Sequence, residues 1–339
     1  HPEFSGKPLA VGGDPEARHG IVLTANYVAK KAGVKTGMAL WQAKQVCPDL
    51  IFVPPRMDLY LKFSSMLREI YSEYTNQVEP YGCDEAWLDV TDSISLKGDG
   101  RKIAEEINRR VKKELGITVS IGISWNKIFA KLGSDYKKPD GITEFNRTNY
   151  RELIWKLPVS DLLYVGRSTN RTLQKYGIRT IGELARTDPS FLERQLGKMG
   201  LVIYSFANGW DDSPVSVEGY QAPIKSIGNS TTTPRDLEND QDVQIILMAL
   251  AESVAARLRK HGFKCNVVSI SIRDNGLFHF SRQRKLQEPT DITDEIMSAA
   301  YQLFRENYHW PRPIRSLGIR ADDLVMGQVP VQIDLFMNE

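Results

Sequence analysis

The feature that most limits how this chain can fold lies in its C-terminal third, where strand and helix patterns follow one another in a defined order. The run is strand (about 225–232), helix (240–261), strand (264–273), strand (277–286), helix (290–307) and strand (314–321). This β-α-β-β-α-β order is that of ferredoxin-like modules. Strand residues alternate between faces, so Val268, Ile270 and Ile272 are expected to face the helices and Ser269, Ser271 and Arg273 to face outward. Arg282 and Arg284 share one face of the next strand, and Ser316, Gly318 and Arg320 one face of the last. An open sheet face of Ser, Gly and Arg can track a phosphate backbone, or simply be solvated.

Upstream, one segment carries chemistry. In Tyr81-Gly82-Cys83-Asp84-Glu85-Ala86-Trp87-Leu88-Asp89-Val90 a carboxylate pair sits inside a strand-like run. Adjacent strand residues point to opposite faces, so Asp84 and Glu85 share a site only at a bend, which Gly82 permits. Two converging carboxylates repel unless a cation lies between them. Mg2+ takes oxygen ligands, and a pair of such ions clamps both oxygens of a phosphoryl displacement. Taken alone, the pair reads as a solvated hairpin tip.

Around this segment, helical patterns at 57–74, 101–115 and 126–136 alternate with strand patterns at 21–24 and 117–124. No dinucleotide glycine fingerprint or P-loop is present, so an α+β domain with a mixed or antiparallel sheet fits better than a doubly wound fold. Residues 153–212 are helical with glycine turns, and 164–200 holds seven Lys or Arg against three carboxylates. That excess suits phosphates, or a solvated helical surface. Residues 211–223 have a linker's Asp, Ser, Pro and Gly. The whole chain carries a net charge of only +2, which does not by itself announce nucleic acid. Cys47, Cys83 and Cys265 are far apart and read as free thiols, each a small buried hydrophobe, in a reducing compartment. No apolar run approaches a membrane span.

With these motifs assembled, the chain resembles the Y-family (lesion-bypass) DNA polymerases over nearly its whole length. Thr24-Ala25-Asn26-Tyr27 is similar to the fingers motif, and Cys83-Asp84-Glu85-Ala86 with Leu88-Asp89 to the Ser-Ile-Asp-Glu-Ala palm motif. Gly122-Ile123-Ser124 with Asn126-Lys127 and Ala130-Lys131, then Lys138-Pro139-Asp140-Gly141, resembles the next palm block. The resemblance implies a right-hand α+β polymerase: fingers 1–56, palm 57–150, helical thumb 151–213, linker 214–223, little finger 224–327 and a tail 328–339. It implies Asp84 and Glu85 as ligands of two Mg2+ ions, and Thr24, Tyr27, Lys30 and Lys138 as contacts to dNTP phosphates. Gly166, Arg167, Arg273, Arg282, Arg284 and Arg320 are the expected contacts to primer-template DNA. Gln332, Asp334, Leu335 and Phe336 resemble the bacterial sliding-clamp peptide. A cytoplasmic monomer is expected.

The chain departs from that pattern in places. His1 aligns just past the family's first strand, which carries another metal-binding carboxylate, so the chain as written is expected not to polymerise. Lys30 stands where many members have Arg, losing the bidentate fork. Leu163-Tyr164-Val165-Gly166-Arg167 replaces the usual Pro-Gly-x-Gly hairpin of the thumb and keeps one glycine. The preferred function is low-fidelity, template-directed DNA synthesis past damaged bases. The rival is a catalytically silent DNA- and clamp-binding protein descended from such a polymerase.

Overall fold

Short strands with β-branched and small residues open the chain. In the computed structural model, which describes residues 1–13, 20–220 and 223–326, strand β1 (Leu9–Gly12) pairs antiparallel with β2 (Val22–Ala25) and parallel with β3 (Ile51–Val53). Helices α1 (Tyr27–Lys31) and α2 (Leu40–Val46) supply Ala29, Leu40 and Ala43 to a small core with Val22 and Leu50. Among the described residues, those of 1–55 cluster in one unit with 223–326, and 56–220 form the other.

The second unit begins with α3 (Met57–Ser72), followed by the hairpin β4 (Val78–Tyr81) and β5 (Glu85–Leu88). After α4 (Ile94–Lys97) and α5 (Gly100–Arg110), β6 (Ile121–Ile123) pairs parallel with β7 (Ile142–Glu144) across α6 (Lys127–Tyr136). The strand expected over 117–124 is shortened to three residues because only 121–123 find a partner strand. Ile117 and Val119 instead pack on the α3–α5 core, and the Val119 carbonyl accepts from the buried Asn108 amide at 3.1 Å. The helical run α7 (Tyr150–Leu153), α8 (Arg167–Lys175), α9 (Ile181–Arg186), α10 (Pro189–Leu196) and α11 (Lys198–Ala207) follows. Its core includes the fully buried Ile154, Leu173, Leu184, Leu192 and Ile203. A capping box starts α9: the Thr180 hydroxyl accepts from the Glu183 N–H at 3.1 Å, and Glu183 accepts from the Thr180 N–H at 2.9 Å.

The stretch read as a linker is partly fastened. The Ser216 N–H donates to the Glu79 carboxylate (2.8 Å), the Gln77 amide to the Val215 carbonyl (3.4 Å) and the Glu218 N–H to the Asn76 carbonyl (2.7 Å). Burial pushes the Glu79 carboxyl up, but the Lys127 ammonium at 2.6 Å and the Ser216 N–H outweigh it and hold its pKa below the ordinary value. A depressed folded pKa stabilises above the unfolded value and is lost as pH falls through the folded one. Amide protection at Ser216 should therefore fall below the ordinary glutamate value of 4.5, and fall at neutral pH in Glu79→Gln. Hydrogen exchange measures this, and equal neutral-pH protection in both proteins would remove Glu79 from the role.

The C-terminal segment forms β8 (Ser226–Leu237), α12 (Asp240–His261), β9 (Phe263–Asp274), β10 (His279–Thr290), α13 (Thr293–Asn307) and β11 (Ile314–Met326), the β-α-β-β-α-β order expected. The sheet order β10-β9-β11-β8 inserts the last strand between the first and second, with every neighbouring pair antiparallel. Val268, Ile270 and Ile272 face α12 and α13 in the core, each worth about 1.5–3 kcal/mol of burial. Asn239 caps α12 by accepting from the Asp242 N–H (2.9 Å), and Gly262 at φ 68° ends it.

Candidate active site

The bend demanded by the carboxylate pair is present. Tyr81 pairs with Glu85, leaving the three-residue turn Gly82-Cys83-Asp84, with Gly82 at φ 79°. Asp84 is exposed at the end of the turn and Glu85 is half-buried as the first residue of β5. Cys83, expected to be buried, is exposed in this turn, while Cys47 and Cys265 are buried as expected. Beneath the turn, the Tyr81 and Trp87 rings meet at 4.7 Å between centroids.

Helix α6 lies against this hairpin and carries charges at every fourth residue. Asn126 caps it, accepting from the Phe129 N–H at 2.9 Å, and the Trp87 indole donates to the Lys127 carbonyl at 2.9 Å. Lys127 then reaches Glu79 (2.6 Å), and Lys131 reaches both Glu85 (3.2 Å) and Asp135 (2.6 Å). Asp135 also holds Lys138 at 2.6 Å. Burial works against the Lys131 charge, yet Asp135 and Glu85 raise its pKa overall. Burial likewise opposes ionisation of Asp135, and Lys131 with Lys138 lowers its pKa overall. Both groups therefore stay charged at neutral pH. The predicted residues Glu85 and Lys138 are thus joined through Lys131 and Asp135, which the sequence reading did not select as site residues. The i, i+4 spacing of Lys127, Lys131 and Asp135 was the available signal.

Helix α6 can lie this close because two glycines face each other. A Cβ on Gly122 would stand 1.8 Å from the Ala130 carbonyl oxygen, and one on Gly133 would stand 3.0 Å from the Gly122 Cα.

Thr24 on β2 and Tyr27 and Lys30 on α1 belong to the other unit, all exposed. Asn26 fixes them: its side chain accepts from the Leu9 and Ala29 N–H groups (3.1 and 3.0 Å) and donates to the Lys7 carbonyl (2.8 Å). The Lys30 ammonium lies 5.1 Å above the Tyr27 ring centre.

Gly166 precedes α8 at φ −75°, and nothing lies within 4 Å of where its Cβ would be. It needs neither special backbone nor special space. The left-handed position belongs to Tyr164 (φ 70°), whose ring packs on Phe206 at 5.8 Å. Arg167 is exposed as the first residue of α8.

On the C-terminal sheet, Arg273 aligns with Ser316 and His279, and Arg320 with Ser269 and Gly228. These residues line the face away from the helices, as expected, with a shallow depression of about 480 Å³ bordered by Ser230, Thr232, Ser271, Arg273 and Ser316. Arg320 is tied to Asp322 at 2.8 Å, and Ser269 donates to the same carboxylate at 2.7 Å, which accounts for its burial. Arg282 and Arg284 lie on the opposite, helix-facing side, which corrects the reading that groups them with an open face. They register with Ile270 and Val268, and share their parity with Phe280 and Leu286, which pack on the core. Arg284 donates to Glu306 of α13 at 2.6 Å, and Arg282 sits 5.1 Å above the Phe280 ring. Gln332, Asp334, Leu335 and Phe336 lie outside the described residues. No helix among the described residues is long and apolar enough to cross a membrane.

Residues 1–135 match the impB/mucB/samB family and residues 224–335 its C-terminal domain. The chain is 52% identical over 339 residues to a DNA polymerase IV of Acetivibrio thermocellus, covering 100% of this chain and 85% of that one. Identity to the DNA polymerase IV of Clostridium kluyveri is 40% over 336 residues, covering 99% of this chain and 84% of that one. Among solved structures, a Y-family polymerase chimera, Dbh-Dpo4(243-245)-Dbh, matches with TM-score 0.82 at 24% identity, covering 96% of this chain and 94% of that one, and supports the fold. DinB from Sulfolobus solfataricus matches with TM-score 0.60 at 26% identity over the same shares. A carboxylate hairpin backed by a lysine-bearing helix, carried on a chain with these relatives, places the protein in the Y-family of DNA-directed DNA polymerases, within the lesion-bypass DNA polymerase IV group.

Proposed function

We propose that the chain, together with any residues encoded upstream of His1, performs low-fidelity, template-directed nucleotidyl transfer at the Asp84–Glu85 hairpin, using dNTPs on primer-template DNA. The observation that carries this reading is the carboxylate pair at a hairpin tip, joined through Lys131 and Asp135 to Lys138. The donor chemistry fits Mg2+, since Asp84 and Glu85 at the hairpin both offer carboxylate oxygens. Mg2+ is commonly held by one or two carboxylates together with substrate phosphates. When bound, two such ions would supply charge neutralisation to the attacking and leaving oxygens.

The chain's own residues do the rest. In the reaction the primer 3′-hydroxyl gives up its proton to solvent as its oxygen bonds to the α-phosphorus, the bond to the pyrophosphate oxygen breaks, and pyrophosphate leaves. Positioning and electrostatics carry most of such a transfer. Lys30 and Lys138 offset triphosphate charge, Thr24 and Tyr27 donate hydroxyl hydrogen bonds to it, and Glu85 orients the primer hydroxyl. In this reading residues 1–56 are fingers, 57–150 palm, 151–213 thumb, 214–223 linker and 224–327 little finger. Gly166 and Arg167, with Arg273 and Arg320 on the open sheet face, contact the DNA backbone. Arg282 and Arg284, turned toward the helices, reach DNA only from the sheet's other side or edge. The protein acts as a cytoplasmic monomer.

The test is primer extension with Mg2+ and single dNTPs on an undamaged template, using the chain with any residues encoded upstream of His1. Incorporation of the complementary nucleotide is expected. No extension with DNA binding intact would favour the silent DNA-binding protein. The tail Gln332 to Phe336 is proposed to dock on the sliding clamp. Its deletion should weaken clamp binding in surface plasmon resonance and spare extension on short templates; unchanged affinity would remove that role.

A further inference from the structure

We infer that Lys131 is the resident counter-ion of Glu85, and that Asp135 couples cation binding at Glu85 to the release of Lys138. The inference rests on the reading of Asp84 and Glu85 as cation ligands. Four groups alternate in sign along one line: Glu85, Lys131 (3.2 Å), Asp135 (2.6 Å) and Lys138 (2.6 Å). Lys131 is the most enclosed of them, with 19% of its side chain exposed, against 34% for Glu85, 47% for Asp135 and 44% for Lys138. Lys127, the preceding lysine on the same stripe, is committed to Glu79 at 2.6 Å and cannot replace it.

Asp135 divides its carboxylate between two lysines, Oδ2 to Lys131 and Oδ1 to Lys138. A cation arriving at Glu85 competes with Lys131 for the Oε1 oxygen. Lys131, displaced, still has Asp135, and now gives that carboxylate its whole charge. The attraction of Asp135 for Lys138 weakens in proportion, and Lys138 becomes available to an anionic phosphate. Coupling between two sites is reciprocal, so a phosphate held by Lys138 leaves Asp135 to Lys131 and eases cation entry at Glu85. Lys131 is a positioning residue in this scheme. It sets a positive charge beside the Glu85 carboxylate before the cation arrives.

The experiment uses Tb3+, a hard oxygen-seeking cation whose luminescence would be sensitised by Trp87 and Tyr81 at the hairpin. Lys131→Met should bind Tb3+ about threefold to tenfold more tightly than the parent, and Lys131→Arg like the parent. Asp135→Asn should bind it more weakly, and that effect should vanish in the Lys131→Met background, which a through-space charge effect would not do. In addition, Mg2+ should raise acetylation of Lys138, read by mass spectrometry, in the parent and not in Lys131→Met. Unchanged or weaker Tb3+ affinity in Lys131→Met, with parent-like circular dichroism, overturns the coupling and leaves the carboxylates as ligands. So does an Asp135→Asn affinity equal to the parent's. Luminescence that is absent, or indifferent to Asp84→Asn with Glu85→Gln, overturns the cation site itself and the coupling with it.

Discussion

In the chain carrying any residues encoded upstream of His1, alanine in place of Asp84 or Glu85 is expected to lower Mg2+-dependent primer extension by on the order of a thousandfold or more while leaving primer-template affinity nearly unchanged. The two side chains are well suited to such a test because the fold does not depend on them. Asp84 is exposed at the end of a turn whose geometry comes from Gly82 (φ 79°) and the Tyr81–Glu85 backbone pairing. Glu85 has Lys131 as its ion-pair partner, and Lys131 keeps Asp135 when Glu85 is removed, so no buried charge is stranded. Loss of extension with an unchanged melting transition would then report lost chemistry, not unfolding. Full extension by either variant in the same assay would move the active site elsewhere.

Alanine at Gly122 should destabilise the second unit by about 3 kcal/mol or more, the scale of severe overpacking. The added methyl would meet the Ala130 carbonyl oxygen at 1.8 Å and the Ser134 nitrogen at 2.5 Å, both backbone atoms of α6 that no rotamer change can move. Relief requires α6 to shift away from β6. Because α6 carries Lys127, Lys131 and Asp135, that shift also stretches the pairs to Glu79 and Glu85. Gly166→Ala is the matched control, since nothing lies within 4 Å of its Cβ position and its φ is ordinary; a change within about 0.5 kcal/mol is expected there. Urea unfolding measures both. A Gly122→Ala protein as stable as the parent would mean that the close approach of strand and helix is not required.

Part of this site was legible before any coordinates. An Asp-Glu pair after a glycine requires a bend if both carboxylates are to serve one site, and the bend is there. The alternation Val268, Ile270, Ile272 committed β9 to a helix-covered face, and those residues are buried. The spacing of Lys127, Lys131 and Asp135 was equally visible, but spacing says only that side chains share a helix face and not what that face meets. Two lysines and a carboxylate in a stripe read equally well as solvated surface until β5 is laid beside them.

Arg282 and Arg284 show the limit most clearly. Their shared face followed from strand period, yet which face it was depended on the register of β10 on β9, where a shift of one residue exchanges the two sides. Phe280 and Leu286, at the same parity, held the hint. Tyr164 is a second case: nothing local marks a tyrosine for a left-handed backbone, and the turn into α8 with the ring against Phe206 holds it there. The chain alone determined the element order of its C-terminal third, the bend at Gly82 and the family motifs, because these depend on neighbours within a few residues. Which face β10 turns to the core, how far 117–124 extends as a strand, and the joining of Glu85 to Lys138 through α6 were decided by tertiary structure, because each depends on a partner distant in sequence.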